Sequence, residues 1–380
     1  MTKTELPAET DTSSIVEVVF SDGTSSAFHH LWLRSNCFCA QCLHPQTRER
    51  TVRSHQLDPQ VSPVHISLDN HHLAITWTDG HVSVFALSWL QDHRYDVARR
   101  PEFEVRSWDS TILLHPPTVD YGQVISDDAA LLHFAEQLWC HGVTFVRATP
   151  STNDAVLLLA ERVGFIRATN FGRDFEVVAM VEPNNVAYTS LELCAHTDAP
   201  NTETPPGIQF LHCLVADAPG GESTLVDGYF VAEQIRRDDP SAFDILTTVA
   251  IPYRFHDGRS DIRSHAPVIG CRFDGTISDI RFHDALMEPL DVVPELVEPT
   301  FRALRLFDRW CQDPAARIER RLEVGEIMVF HNRRVLHGRR AFDPVGGARH
   351  LHGCYVDTDE WLSRIRVLRR TIGQQLTPEE

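Results

Sequence analysis

The stretch His196-Thr197-Asp198 restricts the possible folds of this chain more than any other feature. On an extended strand, side chains at positions i and i+2 point to the same face, so the imidazole of His196 and the carboxylate of Asp198 face one point. A third ligand for a metal at that point must come from a strand far away in the sequence. His337, in the segment Arg334-Val-Leu-His337-Gly, is the candidate.

Two histidines and one carboxylate on one face leave coordination positions open, which is typical of non-haem Fe(II) oxygenases. Arg349 follows His337 by twelve residues and falls on the next strand, directed into the same barrel. A guanidinium there can bind a carboxylate with two parallel hydrogen bonds, as needed to hold the distal end of 2-oxoglutarate. A His-x-Asp pair or an arginine alone more often belongs to a surface ion pair, but the combination at this spacing favours the oxygenase site.

The rest of the chain favours a mainly β fold with flanking helices. Many short strands with a ligand that returns late in the sequence predict a double-stranded β-helix, or jelly roll, with helices packed outside one sheet. Caps and apolar periodicity predict helices over 126–141, 152–163, 229–246, 294–311 and 359–374, and a strand over 143–146. The arginines of the last helix, residues 364, 366, 369 and 370, are interpreted as a solvated or subunit-facing edge.

The length of 380 residues predicts two domains or one large domain with an appendage. We assign residues 1–95 to an N-terminal zinc-binding β domain, 96–125 to a linker and 126–380 to the catalytic jelly roll. Within the first domain, residues 20–33 and 77–90 resemble each other: each contains an Asp-Gly pair suited to a hairpin turn, a second strand and a Trp-Leu pair.

Three cysteines between the two copies, Cys37, Cys39 and Cys42, lie within six residues. Thiolates this close are typical of a tetrahedral structural zinc site, which needs one further ligand. The spacing leaves several histidines open as that ligand, with His81 favoured because it follows the second turn; these are His44, His55, His71, His72 and His81. The alternative is a loop with three reduced cysteines.

The composition restricts which classes of binding partner and which cellular compartment are expected. The formal net charge of −18 argues against nucleic acid and anionic membranes as partners and mildly favours cationic ligands. The nine cysteines are an odd number scattered over a long chain, which favours free thiols plus a metal site over a disulfide framework. The first residues have no apolar signal core, so a cytoplasmic location is expected.

Taken together, these motifs resemble those of the γ-butyrobetaine hydroxylases, a branch of the taurine-dioxygenase-like Fe(II)/2-oxoglutarate oxygenases. The resemblance spans nearly the whole chain, including the cysteine-rich N-terminal part. It is carried by residues 31–42, 185–188, 196–198, 210–213, 220–221, 226–228, 334–338 and 349–350.

The resemblance implies a role for particular residues. It places iron on His196, Asp198 and His337, zinc on Cys37, Cys39, Cys42 and His81, and 2-oxoglutarate on Arg349 with Thr224 as a helper. It implies an aromatic cage for a trimethylammonium group formed by Phe171, Phe175, Tyr188 and Tyr355, with Asn185 at the anionic end. Aromatic residues on short strands are also common in ordinary core packing.

The expected reaction is hydroxylation of γ-butyrobetaine to L-carnitine with dioxygen and 2-oxoglutarate, releasing succinate and CO2, stimulated by ascorbate and carried out by a homodimer. Two positions depart from the pattern of the animal enzymes: Ala199 replaces a tyrosine, and His283-Asp284 replace an asparagine pair. The first alternative is therefore hydroxylation of trimethyllysine or a trimethylammonio-phosphonate. The second is a jelly-roll protein that binds a betaine without turnover, and a zinc hydrolase is weaker still because no His-Glu-x-x-His helix is present.

Overall fold

The computed structural model of this protein describes residues 14–96, 102–178 and 189–376, with side chains described as far as residue 373. The chain divides into two units, Met1–Glu102 and Phe103–Glu380. The predicted boundaries at residues 95 and 125 stay a prediction. Part of the predicted linker is regular, since it contains a 3-10 helix over Ser110–Leu114 and a strand over Thr118–Asp120.

The first unit consists of two hairpins, each followed by a short helix, and one additional strand. In its described part the elements are β1 Ile15–Val19, β2 Ser25–His29, α1 His30–Ser35, β3 Pro63–Leu68, β4 His72–Trp77, β5 Val82–Ala86 and α2 Leu87–Asp92. β1 pairs with β2, and β3, β4 and β5 form a three-stranded antiparallel sheet. The internal repeat predicted from the sequence is therefore confirmed as two hairpin-helix units.

The two hairpin turns have the same chemistry. Gly23 and Gly80 adopt φ values of +81° and +79°, which a residue with a Cβ atom adopts only with strain. In each turn the preceding aspartate, Asp22 or Asp79, accepts a hydrogen bond from the backbone amide two residues further on, at 2.9 and 3.0 Å. The Asp-Gly pairs therefore define both turns, as expected from the sequence.

Each turn is also held by the helix of the other repeat. Arg34 at the end of α1 donates its Nε–H to Asp79 at 2.8 Å, and Gln91 at the end of α2 donates to Asp22 at 2.8 Å. Because Arg34 and Gln91 occupy equivalent positions in the two repeats, the exchange is reciprocal. The equivalent rings of Trp32 and Trp89 stack at 5.6 Å between them.

The second unit contains the remaining strands and longer helices. Its described strands are β6 Thr118–Asp120, β7 Val143–Arg147, β8 Asp174–Val177, β9 Leu193–His196, β10 Ile208–Ala216, β11 Ser223–Asp227, β12 Ile251–His256, β13 Asp261–Ala266, β14 Ile269–Cys271, β15 Ile277–Ile280, β16 Arg317–Arg320, β17 Ile327–His331, β18 Val335–Arg339 and β19 Arg349–Val356. Its described helices are α3 Tyr121–Ser126, α4 Asp128–His141, α5 Asn153–Val163, α6 Gly228–Asp238, α7 Pro240–Thr248, α8 Pro294–Gln312 and α9 Thr358–Leu376. None of the described helices is both long and apolar enough to span a bilayer.

Two sheets form the barrel of this unit. The larger has the strand order β6-β7-β17-β10-β19-β8 and the smaller has the order β16-β11-β18-β9. Apart from the parallel pair of β6 and β7, the described pairings in these sheets are antiparallel, and neighbouring strands are distant in sequence. This is the predicted double-stranded β-helix.

Helices cover both sheets, whereas the sequence predicted helices outside one sheet only. On β10, Phe210 faces α4, α5 and α9, while its neighbour Leu211 faces the space between the sheets. On the smaller sheet, Val226 and Leu336 pack against α6, α7 and α8. The prediction of helices outside one sheet only was wrong. The outward residues of the smaller sheet are also apolar, and the apolar faces of α6 to α8 cover them.

Helix ends follow the capping residues. Asp127 accepts a hydrogen bond from the amide of Ala130 at the start of α4, and Gly142, with φ of +72°, ends it. The prediction of a single helix over 229–246 was wrong, because the chain forms two helices separated at Asp239. Pro240 occupies the first turn of the second helix, and the Asp239 carboxylate caps it.

A buried ion pair connects the end of β11 to the residue that precedes β18. Arg334 is 1% exposed and binds Asp227 through Nε at 3.0 Å and Nη2 at 2.8 Å. The same guanidinium donates to the carbonyl oxygens of Arg106 and Cys140. Since Arg334 lies three residues before His337 on β18, this network holds the strand that bears the last ligand of the triad.

Candidate active site and metal centres

The triad predicted from the sequence comes together at one end of the smaller sheet. His196 is the last residue of β9, and His337 on β18 is its direct partner across the strands. Asp198 follows two residues after His196, and its Oδ1 lies 3.2 Å from His196 Nε2 and 3.6 Å from His337 Nε2. The three ligand atoms therefore surround one point, with His196 and His337 buried.

The protonation of the triad suits a divalent metal. His196 Nδ1 lies 2.9 Å from the carbonyl oxygen of Cys194, which places the proton on Nδ1 and the lone pair on Nε2. Burial lowers the pKa of His337 to about 3, so its ring is neutral at physiological pH. Burial opposes ionisation of Asp198, yet its pKa lies well below the usual range, and the Tyr355 hydroxyl donates to its Oδ2. Imidazole nitrogens with an ionised carboxylate are the donor set that Fe(II) takes in this geometry.

Two residues outside the predicted triad fix Asp198. Asn332, fully buried at the end of β17, accepts a hydrogen bond from the Asp198 amide at 2.6 Å and donates to the Asp198 carbonyl at 3.0 Å. The Tyr355 hydroxyl donates to Asp198 Oδ2 at 2.6 Å. Sequence reasoning missed Asn332, although its position in the segment that leads to His337 was a usable signal. Tyr355 was predicted as a cage residue only.

Arg349 lines a cavity of about 100 Å³ that the triad also lines. A second cation, Arg339, lines the same cavity and donates to the carbonyl oxygens of Thr189 and Leu191. Burial, reinforced for Arg349 by the nearby Arg339, lowers the pKa of both guanidinium groups to about 10. Both remain charged at physiological pH, and the cavity therefore favours an anionic ligand.

Thr224 does not line this cavity, whereas its neighbour Ser223 does. On β11, Ser223 pairs with Arg339 and Thr224 pairs with Gly338, so Thr224 points to the opposite side of the sheet from His337. The Thr224 hydroxyl lies where it would be 2.7 Å from a Cβ atom placed on Gly338. The predicted contact of Thr224 with 2-oxoglutarate is therefore not supported by its placement, because the register of β11 directs Ser223 inward instead.

Aromatic residues form one wall of the cavity beside the triad. Phe171, Phe175 and Tyr355 line it, and the rings of Phe175 and Tyr355 stack at 5.0 Å. The other two predicted substrate residues, Asn185 and Tyr188, lie outside the described residues. The described aromatic residues are thus brought together next to the metal ligands.

A second cavity of about 310 Å³ adjoins the first along Phe171, Asp198 and Tyr355. Its polar lining includes Asn201 and His283. His283 lies with its ring 4.4 Å from the ring of His196, and burial lowers its pKa well below the ordinary value. Ala199 lines the cavity at a left-handed φ of +52°, although it has a Cβ atom.

The cysteine cluster forms a second candidate metal centre, in the first unit. His81 Nε2 lies 3.2 Å from the sulfur of Cys37 and 3.5 Å from those of Cys39 and Cys42. With Zn–S of about 2.3 Å and Zn–N of about 2.1 Å, tetrahedral ligands lie about 3.6 Å apart. The four ligand atoms therefore fit a single zinc ion. Among the histidines that the spacing left open, the structure places His81 with the cysteines.

The cysteines differ in their surroundings, and one of them is tied to the turn that carries His81. Burial, with Cys39 as the second cause, raises the pKa of the Cys42 thiol to about 11. Although burial acts against it, backbone hydrogen bonds from Gln41 and Cys42 lower the pKa of Cys39. Arg34 donates to the Cys42 sulfur at 3.5 Å while it holds the Asp79 turn, so the turn that carries His81 and the cysteine loop are tied together.

Comparisons with known proteins match both units. Residues 108–355 match the model of the taurine catabolism dioxygenase TauD, TfdA family, and residues 9–91 match that of the gamma-butyrobetaine hydroxylase-like N-terminal domain. The chain is 41% identical over 365 residues to the gamma-butyrobetaine dioxygenase of Pseudomonas sp. (strain AK-1), and the alignment covers 94% of each chain.

Two human proteins are also similar along most of their length. Human gamma-butyrobetaine dioxygenase is 30% identical over 376 residues, covering 95% of this chain and 96% of the relative. Human mitochondrial trimethyllysine dioxygenase is 30% identical over 354 residues, covering 91% of this chain and 83% of the relative.

Proposed function

The chain belongs to the taurine catabolism dioxygenase TauD, TfdA family of 2-oxoglutarate-dependent dioxygenases, and from this premise we propose that it hydroxylates γ-butyrobetaine to L-carnitine. The observation that carries the proposal is a single cavity lined by Arg349, by His196, Asp198 and His337, and by the aromatic wall. A cation, a set of metal ligands and aromatic rings are the groups that the co-substrate, iron and a quaternary ammonium substrate require. The similarity to the Pseudomonas gamma-butyrobetaine dioxygenase supports the same substrate.

Each part of the cavity has a distinct task in this proposal. His196, Asp198 and His337 hold Fe(II) and leave its other positions open. Arg349 binds the distal carboxylate of 2-oxoglutarate, and the neighbouring charge of Arg339 adds to the attraction for this dianion. When bound, iron with 2-oxoglutarate and dioxygen supplies the oxidation: one oxygen atom enters a C–H bond of the substrate and the other enters succinate, with release of CO2. The remaining task of the protein is to orient one C–H bond of the substrate.

The aromatic wall suits the cationic end of γ-butyrobetaine. A trimethylammonium group has no hydrogen to donate, so ring faces bind it through cation–π attraction and apolar contact with its methyl groups. Phe171, Phe175 and Tyr355 supply such faces, and Tyr188 and Asn185 remain proposed contacts outside the described residues. The adjoining cavity with Asn201 and His283 has the polar character needed near the anionic end.

A second substrate of the same class is kept as an alternative. The similarity to human trimethyllysine dioxygenase favours trimethyllysine, and a trimethylammonio-phosphonate would suit the space that Ala199 leaves beside His283. The test is succinate formation by the purified protein with Fe(II), ascorbate and 2-oxoglutarate, comparing the three compounds at equal concentration. Rapid turnover of γ-butyrobetaine to a product heavier by one oxygen atom supports the proposal. Faster turnover of another compound would replace it, and no turnover by iron-loaded protein would favour a betaine-binding protein.

Further properties of the protein remain proposals. Zinc in the Cys37, Cys39, Cys42 and His81 cluster is supported by the ligand geometry, and metal analysis of the purified protein tests it. Stimulation by ascorbate, a homodimer and a cytoplasmic location are predictions that stand on the family resemblance and the sequence. Ultracentrifugation at several protein concentrations tests the homodimer.

A further inference from the structure

Tyr355 contacts both functional parts of the cavity. One side of its ring stacks on Phe175 in the aromatic wall, and its hydroxyl donates to Asp198 Oδ2 at 2.6 Å. We propose that Tyr355 is a positioning residue that fixes Asp198 as a one-oxygen ligand and couples substrate binding to metal binding. This inference rests on the proposed function in one respect, because it takes His196, Asp198 and His337 as the metal ligands.

The hydrogen bond distinguishes the two oxygens of Asp198. Oδ1 faces the imidazoles, at 3.2 Å from His196 Nε2 and 3.6 Å from His337 Nε2. Oδ2 is the oxygen that accepts from Tyr355. An ionised carboxylate can bind a metal through both oxygens, but an oxygen that accepts a short hydrogen bond is a poorer ligand. The hydroxyl therefore directs Oδ1 to the metal and keeps a further coordination position open for the co-substrate.

The backbone and ring of Tyr355 are held on several sides. The residue lies in the interior of β19, paired with Gln209 of β10, and its carbonyl oxygen accepts from the Arg167 amide at 2.8 Å. Its side chain is 7% exposed, and the Phe175 ring lies across it at 5.0 Å. Because the ring belongs to the aromatic wall and its hydroxyl contacts Asp198, a ligand that packs against the wall acts on the position of the hydroxyl, and the hydroxyl acts on Asp198.

This arrangement predicts a coupling between two binding events. A quaternary ammonium compound on the aromatic wall should raise the affinity of the triad for its metal, and the metal should raise the affinity for the compound by the same factor. A tyrosine that served only as a hydrophobic wall would give no such coupling. Outer-shell partners of metal ligands typically change metal affinity about 10- to 100-fold, so the contribution of the hydroxyl is measurable.

The test is the variant Tyr355→Phe in zinc-replete protein. Phenylalanine keeps the ring and its stacking on Phe175 but removes the hydroxyl. Calorimetric titration with Mn(II), which accepts oxygen and imidazole ligands without supporting turnover, should show about 10- to 100-fold weaker binding than in the wild type. The matched control is Tyr121→Phe, because the Tyr121 side chain is 8% exposed and its hydroxyl donates to a backbone carbonyl oxygen, that of Ala155. The control should bind Mn(II) like the wild type.

A second titration measures the coupling. In the wild type, saturating γ-butyrobetaine should tighten Mn(II) binding several-fold, and in Tyr355→Phe this factor should fall towards one. Phe175→Leu keeps the Tyr355 hydroxyl, so it should weaken binding of γ-butyrobetaine while lowering Mn(II) affinity in its absence less than Tyr355→Phe does. Loss of Mn(II) affinity in both variants to the same degree would mean that the wall acts only through packing and would overturn the inference.

The inference and the proposed function fail in different ways. If the wild type binds no Mn(II) at the triad and does not turn over 2-oxoglutarate, the proposed function is wrong whatever Tyr355 does. If the wild type binds Mn(II) and hydroxylates its substrate, but Tyr355→Phe binds Mn(II) as tightly as the wild type, only the role of Tyr355 is wrong.

Discussion

The cysteine cluster of the first unit and the triad of the second unit use buried ligands in different ways. In the cluster, Cys37, Cys39 and Cys42 with His81 complete a tetrahedron, which leaves no position for a substrate. In the triad, His196, Asp198 and His337 occupy one side of a metal and face a cavity. The first arrangement is closed and suits a structural metal, and the second is open and suits a catalytic one.

The two centres also differ in what holds their ligands in place. The cysteines lie on a loop of six residues that has little regular structure, so a bound metal is the main constraint on it. The two histidines of the triad lie on paired strands, His196 opposite His337 although they are 141 residues apart in sequence, and Asp198 follows two residues after the end of β9. The geometry of the triad is set by the hydrogen bonds of the barrel before any metal binds. We therefore expect the first centre to depend on its metal for folding and the second to depend on its fold for metal binding.

The largest effect that tests this contrast is expected for Cys39→Ser. Structural zinc contributes about 10–16 kcal/mol in zinc-finger peptides at neutral pH, and a serine hydroxyl is a poor substitute for a thiolate. The variant should lose bound zinc, unfold in its first unit and give a low folded yield. Metal analysis and limited proteolysis measure this. Cys271→Ser, at an exposed thiol outside both clusters, is the control. Normal zinc content and proteolytic resistance in Cys39→Ser would remove the cysteines from the list of ligands.

The opposite pattern is expected for Asp198→Ala. The barrel does not need this side chain for its strand pairing, so zinc content and circular dichroism should match the wild type. Turnover should fall more than about a hundredfold, because even outer-shell partners of ligands typically account for about 10- to 100-fold. Asp274→Ala, at an exposed aspartate in the turn between β14 and β15, is the control. A stable variant that retains its turnover would show that Asp198 does not bind the metal.

The difference between the centres also explains how far each could be predicted from the sequence. Closed sites have ligands with short spacing, so the cysteines were evident, while the spacing left several histidines open as the fourth ligand and only the position after the second turn favoured His81. His81 joins them because the Asp79-Gly80 turn, held by Arg34, directs it towards the cysteine loop. The pseudo-symmetric arrangement of the two repeats determines the direction of His81. The sequence showed only that residues 20–33 and 77–90 resemble each other.

In the open site, the ligands could be predicted but their neighbours could not. The sequence expectation brought His196, Asp198 and His337 together, although the strand ends at His196 and Asp198 follows in a bend rather than on the strand itself. The placement of Thr224 differs from the expectation because of strand register, since a shift of one residue exchanges Ser223 for Thr224 on the inner face. The hydroxyl of Tyr355 and the amide of Asn332 reach Asp198 only because of pairings between strands distant in sequence, which spacing alone does not reveal.

A buried histidine outside both centres sharpens the comparison. His212 on β10 is fully buried, and neither ring nitrogen has a hydrogen-bond partner among the described residues. Burial, with a smaller effect of His352, lowers its pKa to about 4. Among the described residues it belongs to neither group of candidate metal ligands, and burial without a partner makes its protonation favour the unfolded state.

Acid should therefore destabilise the second unit through His212. The pKa is about 4 in the folded state and about 6.5 when unfolded, so the unfolded chain binds the proton first as pH falls. The contribution is complete above pH of about 6.5 and is lost towards pH 4, by about 2 kcal/mol at pH 5. Urea unfolding at pH 8 and pH 5 should show a smaller loss for His212→Leu than for the wild type. His133→Leu, at an exposed position, is the control, and an equal loss in His212→Leu and the wild type would contradict the prediction.

The smallest effect is expected at the glycine turn beside Arg349. Gly221 has a φ of +72°, and a Cβ atom on it would lie 3.0 Å from Arg349 Cδ and 3.3 Å from Phe342 Cβ. Gly221→Ala should therefore displace the guanidinium by a few tenths of an ångström and raise the KM for 2-oxoglutarate about tenfold, or about 1.4 kcal/mol. Calorimetric binding of 2-oxoglutarate to the Mn(II) form gives an independent measure.

A matched glycine separates this displacement from simple backbone strain. Gly275 has a similar φ of +83°, but no atom lies within 4 Å of its Cβ position, so Gly275→Ala introduces about 1 kcal/mol of strain without a contact. Both variants should lose similar stability, while only Gly221→Ala should bind 2-oxoglutarate more weakly. If the two variants bind the co-substrate equally well, Arg349 does not depend on the turn. If only Gly221→Ala binds 2-oxoglutarate more weakly, the open centre depends on residues such as Gly221 that position its binding groups. The closed centre, in contrast, is formed by its four ligands.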